Sequence, residues 1–206
     1  MITIIDYGMG NLRSVQKAFE HVGLSAQVTS DPQVVARAER LVLPGVGAFR
    51  DCMQNLEGGG FVEPIQQVIA AQRPFLGICV GMQLLLTDSV EFGHYPGMNI
   101  IPGHVRRFPD KMVEAGEKLK VPHMGWNQIA IERPSPLFRG IDDNVNVYFV
   151  HSYYEEPDDT ATIAATSVYG IKFCAALWKD NIVATQFHPE KSQKVGLKML
   201  ENFGKM

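Results

Sequence analysis

Apolar residues in the first half of this chain form short unbroken runs, separated by segments whose apolar positions recur every three or four residues. That alternation is the mark of buried strands between amphipathic helices. Ile2 to Ile5 predicts a first strand, and Leu12, Val15, Phe19 and Val22 mark one face of a helix closed by Gly23. Residues 26–29 predict a second strand, followed by Asp31 as helix N-cap with Pro32 in the first turn. Residues 41–43 predict a third strand, 62–72 a helix with Pro64 in its first turn, and 75–78 a fourth strand, with a helix starting after Cys79. The order β-α-β-α-β-α-β predicts an α/β fold with a doubly wound, mostly parallel sheet, whose crevice lies at the carboxyl ends of its strands.

From Met98 the pattern changes. Short strands at 105–108, 128–131, 145–150, 162–167, 175–178 and 182–186 alternate with Pro, Gly and Asp turns, predicting a mixed or antiparallel extension of the sheet. A last helix from Ser192 carries Val195, Met199 and Phe203 on one face. No repeat, linker or low-complexity segment interrupts the 206 residues, so a single domain over 1–206 is expected.

Composition narrows the function classes. The net charge of −3, with no basic block, does not point to nucleic acid. Cys52, Cys79 and Cys174 are widely spaced without a Cys-x-x-Cys pair, which points to a reducing compartment and away from structural zinc. The first residues lack a basic segment and the apolar run is too short for a signal peptide, and nothing approaches a membrane span. A cytoplasmic protein with no membrane partner is expected.

The chemistry concentrates in two places. Gly77-Ile78-Cys79-Val80-Gly81 joins a buried strand to a helix start, the layout of a nucleophile elbow. Glycines are needed there because backbone crowds backbone, and the helix start offers N–H donors and a positive dipole end. Alone, such a cysteine is more often a small buried residue. The second place decides the matter: Thr185-Gln186-Phe187-His188-Pro189-Glu190 follows another strand and supplies a base and a carboxylate two residues apart.

Three further stretches bear on function. Gly8-Met9-Gly10 lacks the third glycine of a dinucleotide fingerprint, where Arg13 stands, and reads as a mouth-lining loop. Pro44-Gly45-Val46-Gly47 alone is a tight turn. Beside a Cys-His-Glu set it becomes a donor loop, the N–H of Val46 or Gly47 completing an oxyanion hole with that of Val80. The stretches 121–127 and 148–154 each combine aromatics with a histidine. They read either as core and edge packing, with His123 and His151 structural, or as an aromatic surface for a partner or substrate.

These motifs resemble the class I (triad) glutamine amidotransferases, and within them the glutaminase subunits of imidazole glycerol phosphate synthase. The resemblance rests on Asp6-Tyr7-Gly8-Met9-Gly10-Asn11-Leu12, Pro44-Gly45-Val46-Gly47-Ala48-Phe49, the Cys79 elbow through Gln83, Pro122-His123-Met124-Gly125-Trp126-Asn127, Tyr148-Phe149-Val150-His151-Ser152-Tyr153 and His188-Pro189-Glu190-Lys191-Ser192, which span almost the whole chain. It implies glutamine hydrolysis by Cys79, His188 and Glu190, with Gln83, Ser152 and Tyr153 holding the substrate's α-amino and carboxylate groups. It implies no metal or organic cofactor. It also implies a heterodimer with a separate (β/α)₈-barrel cyclase subunit that receives the ammonia. Sheet topology puts Asn11, Tyr148 and Lys191 near the same carboxyl-end rim as Cys79, with Trp126 on the neighbouring loop, and this rim is expected to face the barrel. The glutaminase of another amidotransferase, a stand-alone cysteine hydrolase of γ-glutamyl compounds, and a non-catalytic scaffold are the competing readings.

Overall fold

The apolar runs become the buried centre of one large sheet. In the computed structural model, which describes residues 1–114 and 116–206, the first half forms β1 (Ile2–Ile5), α1 (Leu12–His21), β2 (Ala26–Thr29), α2 (Pro32–Ala36), β3 (Arg40–Gly45), α3 (Phe49–Gly58), α4 (Val62–Ala70), β4 (Phe75–Cys79) and α5 (Val80–Gln83). Next come β5 (Asp88–Ser89), β6 (Tyr95–Pro96), β7 (Gly103–Arg107), β8 (Val113–Glu114) and β9 (Glu117–Lys118). The rest is β10 (His123–Ile131), β11 (Val145–His151), β12 (Tyr153–Pro157), β13 (Ile163–Tyr169), β14 (Ile171–Lys179), β15 (Ile182–Thr185) and α6 (Gln193–Phe203).

The main sheet runs β2-β1-β3-β4-β15-β14-β12-β7-β5-β6. Pairing is parallel from β2 to β15 and antiparallel from β15 through β7. β10, β11 and β13 branch from it as an antiparallel layer. β1, β4 and β15 are buried at every position, which requires cover on both faces and explains why they read as unbroken apolar runs. α1 packs on α6 and α2 on α4. Phe203 of α6 places its ring 6.1 Å from Phe19 of α1, tying the chain's last helix to its first.

Several elements depart from expectation. α3 was not anticipated, although Phe49, Cys52, Met53 and Leu56 recur at helical spacing and are all buried. The helix expected after Cys79 is a single turn. Beyond it, the carbonyls of Leu84, Leu85 and Leu86 accept backbone N–H groups from Met98, Asn99, Ile100 and Ile101 instead of their own helix. Trp126, expected on a loop, lies within β10. Pro122 and Gly125 look like loop punctuation, but pairing with β11 (His123 opposite His151, Trp126 opposite Tyr148) overrides it.

Candidate active site

Cys79 ends β4 and starts α5 with φ 54° and ψ −115°, a region that a residue with a side chain rarely occupies. Close packing holds it there. A Cβ on Gly77 would lie 2.7 Å from the Gly81 carbonyl oxygen, and one on Gly81 would overlap the carbonyl of Leu43 on β3. Both glycines are therefore obligatory, and the turn is pressed against β3 with its thiol at the carboxyl end of the sheet.

His188 arrives from β15, the neighbour of β4. Its Nδ1 lies 2.8 Å from Glu190 Oε1, and its ring is 2% exposed. The carboxylate only accepts, so Nδ1 carries a proton and Nε2 is left as the free face of the ring. The backbone is held as firmly. His188 N–H donates to the Tyr148 carbonyl at 2.9 Å, and the Ser192 hydroxyl donates to the His188 carbonyl at 2.7 Å while accepting the Tyr148 N–H at 3.0 Å. Nε2 closes no hydrogen bond among the described residues. Burial alone lowers the basicity of His188, but the sulfur of Cys79 and then the Glu190 carboxylate outweigh it and raise the pKa to about 10. Cys79 and His188 line one cavity without a closed hydrogen bond between them, as is common before substrate aligns such a pair.

A cavity of about 270 Å³ opens over this pair. Every residue expected at an oxyanion or substrate position lines it: Val46, Gly47, Val80, Gln83, Ser152 and Tyr153. Gln83 is turned inward. Its Nε2 donates to Gln186 Oε1 at 2.8 Å, and Gln186 Nε2 points at Cys79 Sγ at 3.6 Å. Glu91 was missed by sequence reading. It lines the cavity, accepts the Phe49 N–H at 2.6 Å, and has its pKa raised by burial. It lies in an irregular stretch with no periodicity, so only the folded position reveals it.

The expected rim is partly assembled. Trp126 is 48% exposed, its ring 6.0 Å from that of Tyr148, and Lys191 Nζ lies 5.8 Å from the same Tyr148 ring. Asn11 precedes α1 without spending its side chain on a capping bond, and α1 packs on the Pro189–Lys191 turn. Among the described residues no cluster of three His, Cys, Asp or Glu side chains is arranged for a metal, and no helix is long and apolar enough to cross a membrane.

A thiol on a strained elbow, a histidine oriented by a carboxylate and a small cavity above them suit attack on an amide. The family model for class I glutamine amidotransferases matches residues 3–206. The chain belongs to that family. This amidotransferase is 73% identical to the imidazole glycerol phosphate synthase subunit HisH of Geobacter sulfurreducens, over 100% of this chain and 98% of that one. It is 68% identical to the subunit of the same name from Syntrophotalea carbinolica, over the full length of both. In fold it resembles PurLQS from Thermotoga maritima, with a TM-score of 0.73 at 15% identity, covering 99% of this chain and 95% of that one.

Proposed function

We propose that this chain is the glutamine-hydrolysing subunit of imidazole glycerol phosphate synthase, acting as one functional unit over its whole length in the cytoplasm. The observation that carries the reading is one cavity lined by the Cys79 elbow and by a His188 that Glu190 orients at 2.8 Å. Cys79 Sγ attacks the side-chain amide carbon of glutamine while His188 Nε2 takes the thiol proton and returns it to the departing ammonia. The N–H of Val80 and a second N–H from Val46 or Gly47 stabilise the oxyanion. Water, deprotonated by His188, then cleaves the γ-glutamyl thioester to release glutamate. Gln83, Ser152 and Tyr153 hold the substrate's α-substituents, and the Glu91 carboxylate suits the α-ammonium. Glu91→Gln, which keeps shape but removes the charge, is expected to raise KM for glutamine by about tenfold with a smaller change in kcat; an unchanged KM removes Glu91 from the subsite.

Ammonia passes to a (β/α)₈-barrel cyclase partner docked on the rim of Asn11, Trp126, Tyr148 and Lys191, where it closes the imidazole ring of a phosphoribosylated substrate. Co-purification with that cyclase and glutamine-dependent turnover of its ribonucleotide test this directly. Glutamine hydrolysis of equal rate with and without the cyclase favours a stand-alone hydrolase instead.

Hydrolysis is expected to depend on the partner, and the donor loop supplies the means. Gly47 has φ +99°, while a Cβ on Gly45 would lie 2.7 Å from the Gly81 N–H nitrogen, so Gly45 is pinned to the elbow and Gly47 is the cleaner probe of loop freedom. The Cys52 thiol donates to the Val46 carbonyl at 3.6 Å and so orients the peptide between Val46 and Gly47. The glutaminase rate should rise at least about tenfold when cyclase and its ribonucleotide are both present, roughly 1.4 kcal/mol of barrier. Gly47→Ala should blunt that rise; equal rates for free chain, complex and liganded complex remove the switch.

A further inference from the structure

Beside the triad, the folded chain contains a buried pair of histidines that the mechanism above does not use, His151 lining the cavity over Cys79 and His123 behind it. Their protons can be assigned from partners that have no choice of role. Asn127 Oδ1 accepts the Gln128 N–H at 2.8 Å and its Nδ2 donates to the Val168 carbonyl at 2.8 Å, which fixes the amide's orientation. The second hydrogen of that Nδ2 faces His123 Nε2 at 3.3 Å, so Nε2 accepts and the His123 proton sits on Nδ1. Nδ1–H then donates to His151 Nε2 at 3.0 Å. That places the His151 proton on its own Nδ1, which donates to the Tyr153 carbonyl at 2.7 Å.

Such a chain holds only while both rings are neutral, since a proton added to either would set donor against donor. Burial pushes the pKa of His123 down to about 4 and that of His151 to about 3, which keeps them so. The ring of His123 is further clamped between Tyr169, at 4.0 Å, and Phe149, at 4.8 Å.

The far end of the chain reaches the nucleophile. The Tyr153 carbonyl also faces Gln83 Nε2 at 3.4 Å, Gln83 bonds Gln186, and Gln186 points at Cys79 Sγ. The near end belongs to β10, which exposes Met124 and Trp126 on either side of Gly125. We infer that His123 and His151 are positioning residues that couple the placement of β10 to the alignment of the Cys79 sulfur, through Tyr153, Gln83 and Gln186. The inference rests on the glutaminase reading above. It gives the two histidines a task other than filling the core: they carry a directed line of hydrogen bonds from an exposed strand to the Tyr153 carbonyl, which also accepts from Gln83 and so joins that line to the one reaching the sulfur.

The test uses the complex with its cyclase. His123→Phe keeps the stacked ring but removes the donor. It is expected to lower kcat for glutamine-dependent turnover about tenfold, the effect of one lost well-aligned hydrogen bond, with KM for glutamine within about twofold and ammonium-supported turnover unchanged. His123→Asn offers an N–H near the place of Nδ1 and should recover kcat to within about threefold of the unsubstituted complex. Asn127→Asp presents an acceptor to Nε2, inverts the tautomer of His123 and should match His123→Phe. An unchanged kcat in His123→Phe overturns the inference, as does a loss in His123→Asn as deep as in His123→Phe, which would make ring packing the cause. If His123→Phe fails to fold, Asn127→Asp decides: a loss with ammonium-supported turnover intact sustains the coupling, and an unchanged kcat overturns it. Absence of glutamine hydrolysis in the unsubstituted complex would instead strike the glutaminase reading itself.

Discussion

Cys79→Ala is expected to lower glutamine-dependent product formation by the complex about 10⁴-fold or more, while ammonium salts still support cyclase turnover. The size follows from what is lost. Among the described residues no other side chain lining the cavity presents a thiol or hydroxyl on a strand-to-helix elbow, and Ser152, the nearest in kind, is not in such a turn. Alanine keeps the backbone close to its native path, because the strain at φ 54° is borne by the Gly77 and Gly81 contacts and does not depend on the sulfur. The ammonium-supported rate reports folding and docking in the same sample. Cys174 serves as the internal control: it is buried and free, its thiol bonds only the Ala176 carbonyl among the described residues, and its replacement should leave glutamine turnover within a few-fold. Retained glutamine-dependent activity in Cys79→Ala would dismiss the thioester route, and loss of both activities would point to a folding defect at the elbow.

Glu190→Gln should lower kcat by about 10²–10⁴ with little change in KM, because an amide can turn its N–H toward Nδ1 and favour the tautomer that leaves Nε2 protonated and unable to accept the thiol proton. A second readout separates this electrostatic role from a packing one. The His188 imidazole, with a pKa raised to about 10, owes part of that rise to the Glu190 carboxylate and more to the sulfur of Cys79. Its titration, followed by NMR, should move toward the ordinary value in Glu190→Gln and further in Cys79→Ala. The sign for stability follows. Because the folded value lies above the unfolded one of about 6.5, the stabilising contribution is complete below that pH and is lost as pH rises toward about 10. Glu190→Gln should therefore flatten the decline of stability on the alkaline side. A native kcat together with an unshifted His188 titration would remove Glu190 from the site.

What the sequence determined by itself was whatever depends on neighbours along the chain. β1 and β4 were readable because burial on both faces demands unbroken apolar runs, and the elbow because a strained turn between packed backbones admits only Gly77 and Gly81 around Cys79. His188 and Glu190, a base and a carboxylate two residues apart where another strand runs out, were readable as partners for Cys79 although they lie more than a hundred positions away in sequence, and the likeness of the motifs to a family agreed. Tertiary structure decided whatever depends on contacts across the chain. Glu91 faces the cavity over Cys79 only because its loop folds back on Phe49. Gln186 reaches the sulfur only because β15 lies beside β4 in parallel register, with Thr185 opposite Ile78. Trp126 belongs to a strand only because β11 pairs with it. Even the tautomers of His123 and His151 are settled from outside, by an amide on one end and a carbonyl on the other, since an imidazole has no intrinsic preference strong enough to choose between two hydrogen-bonding roles.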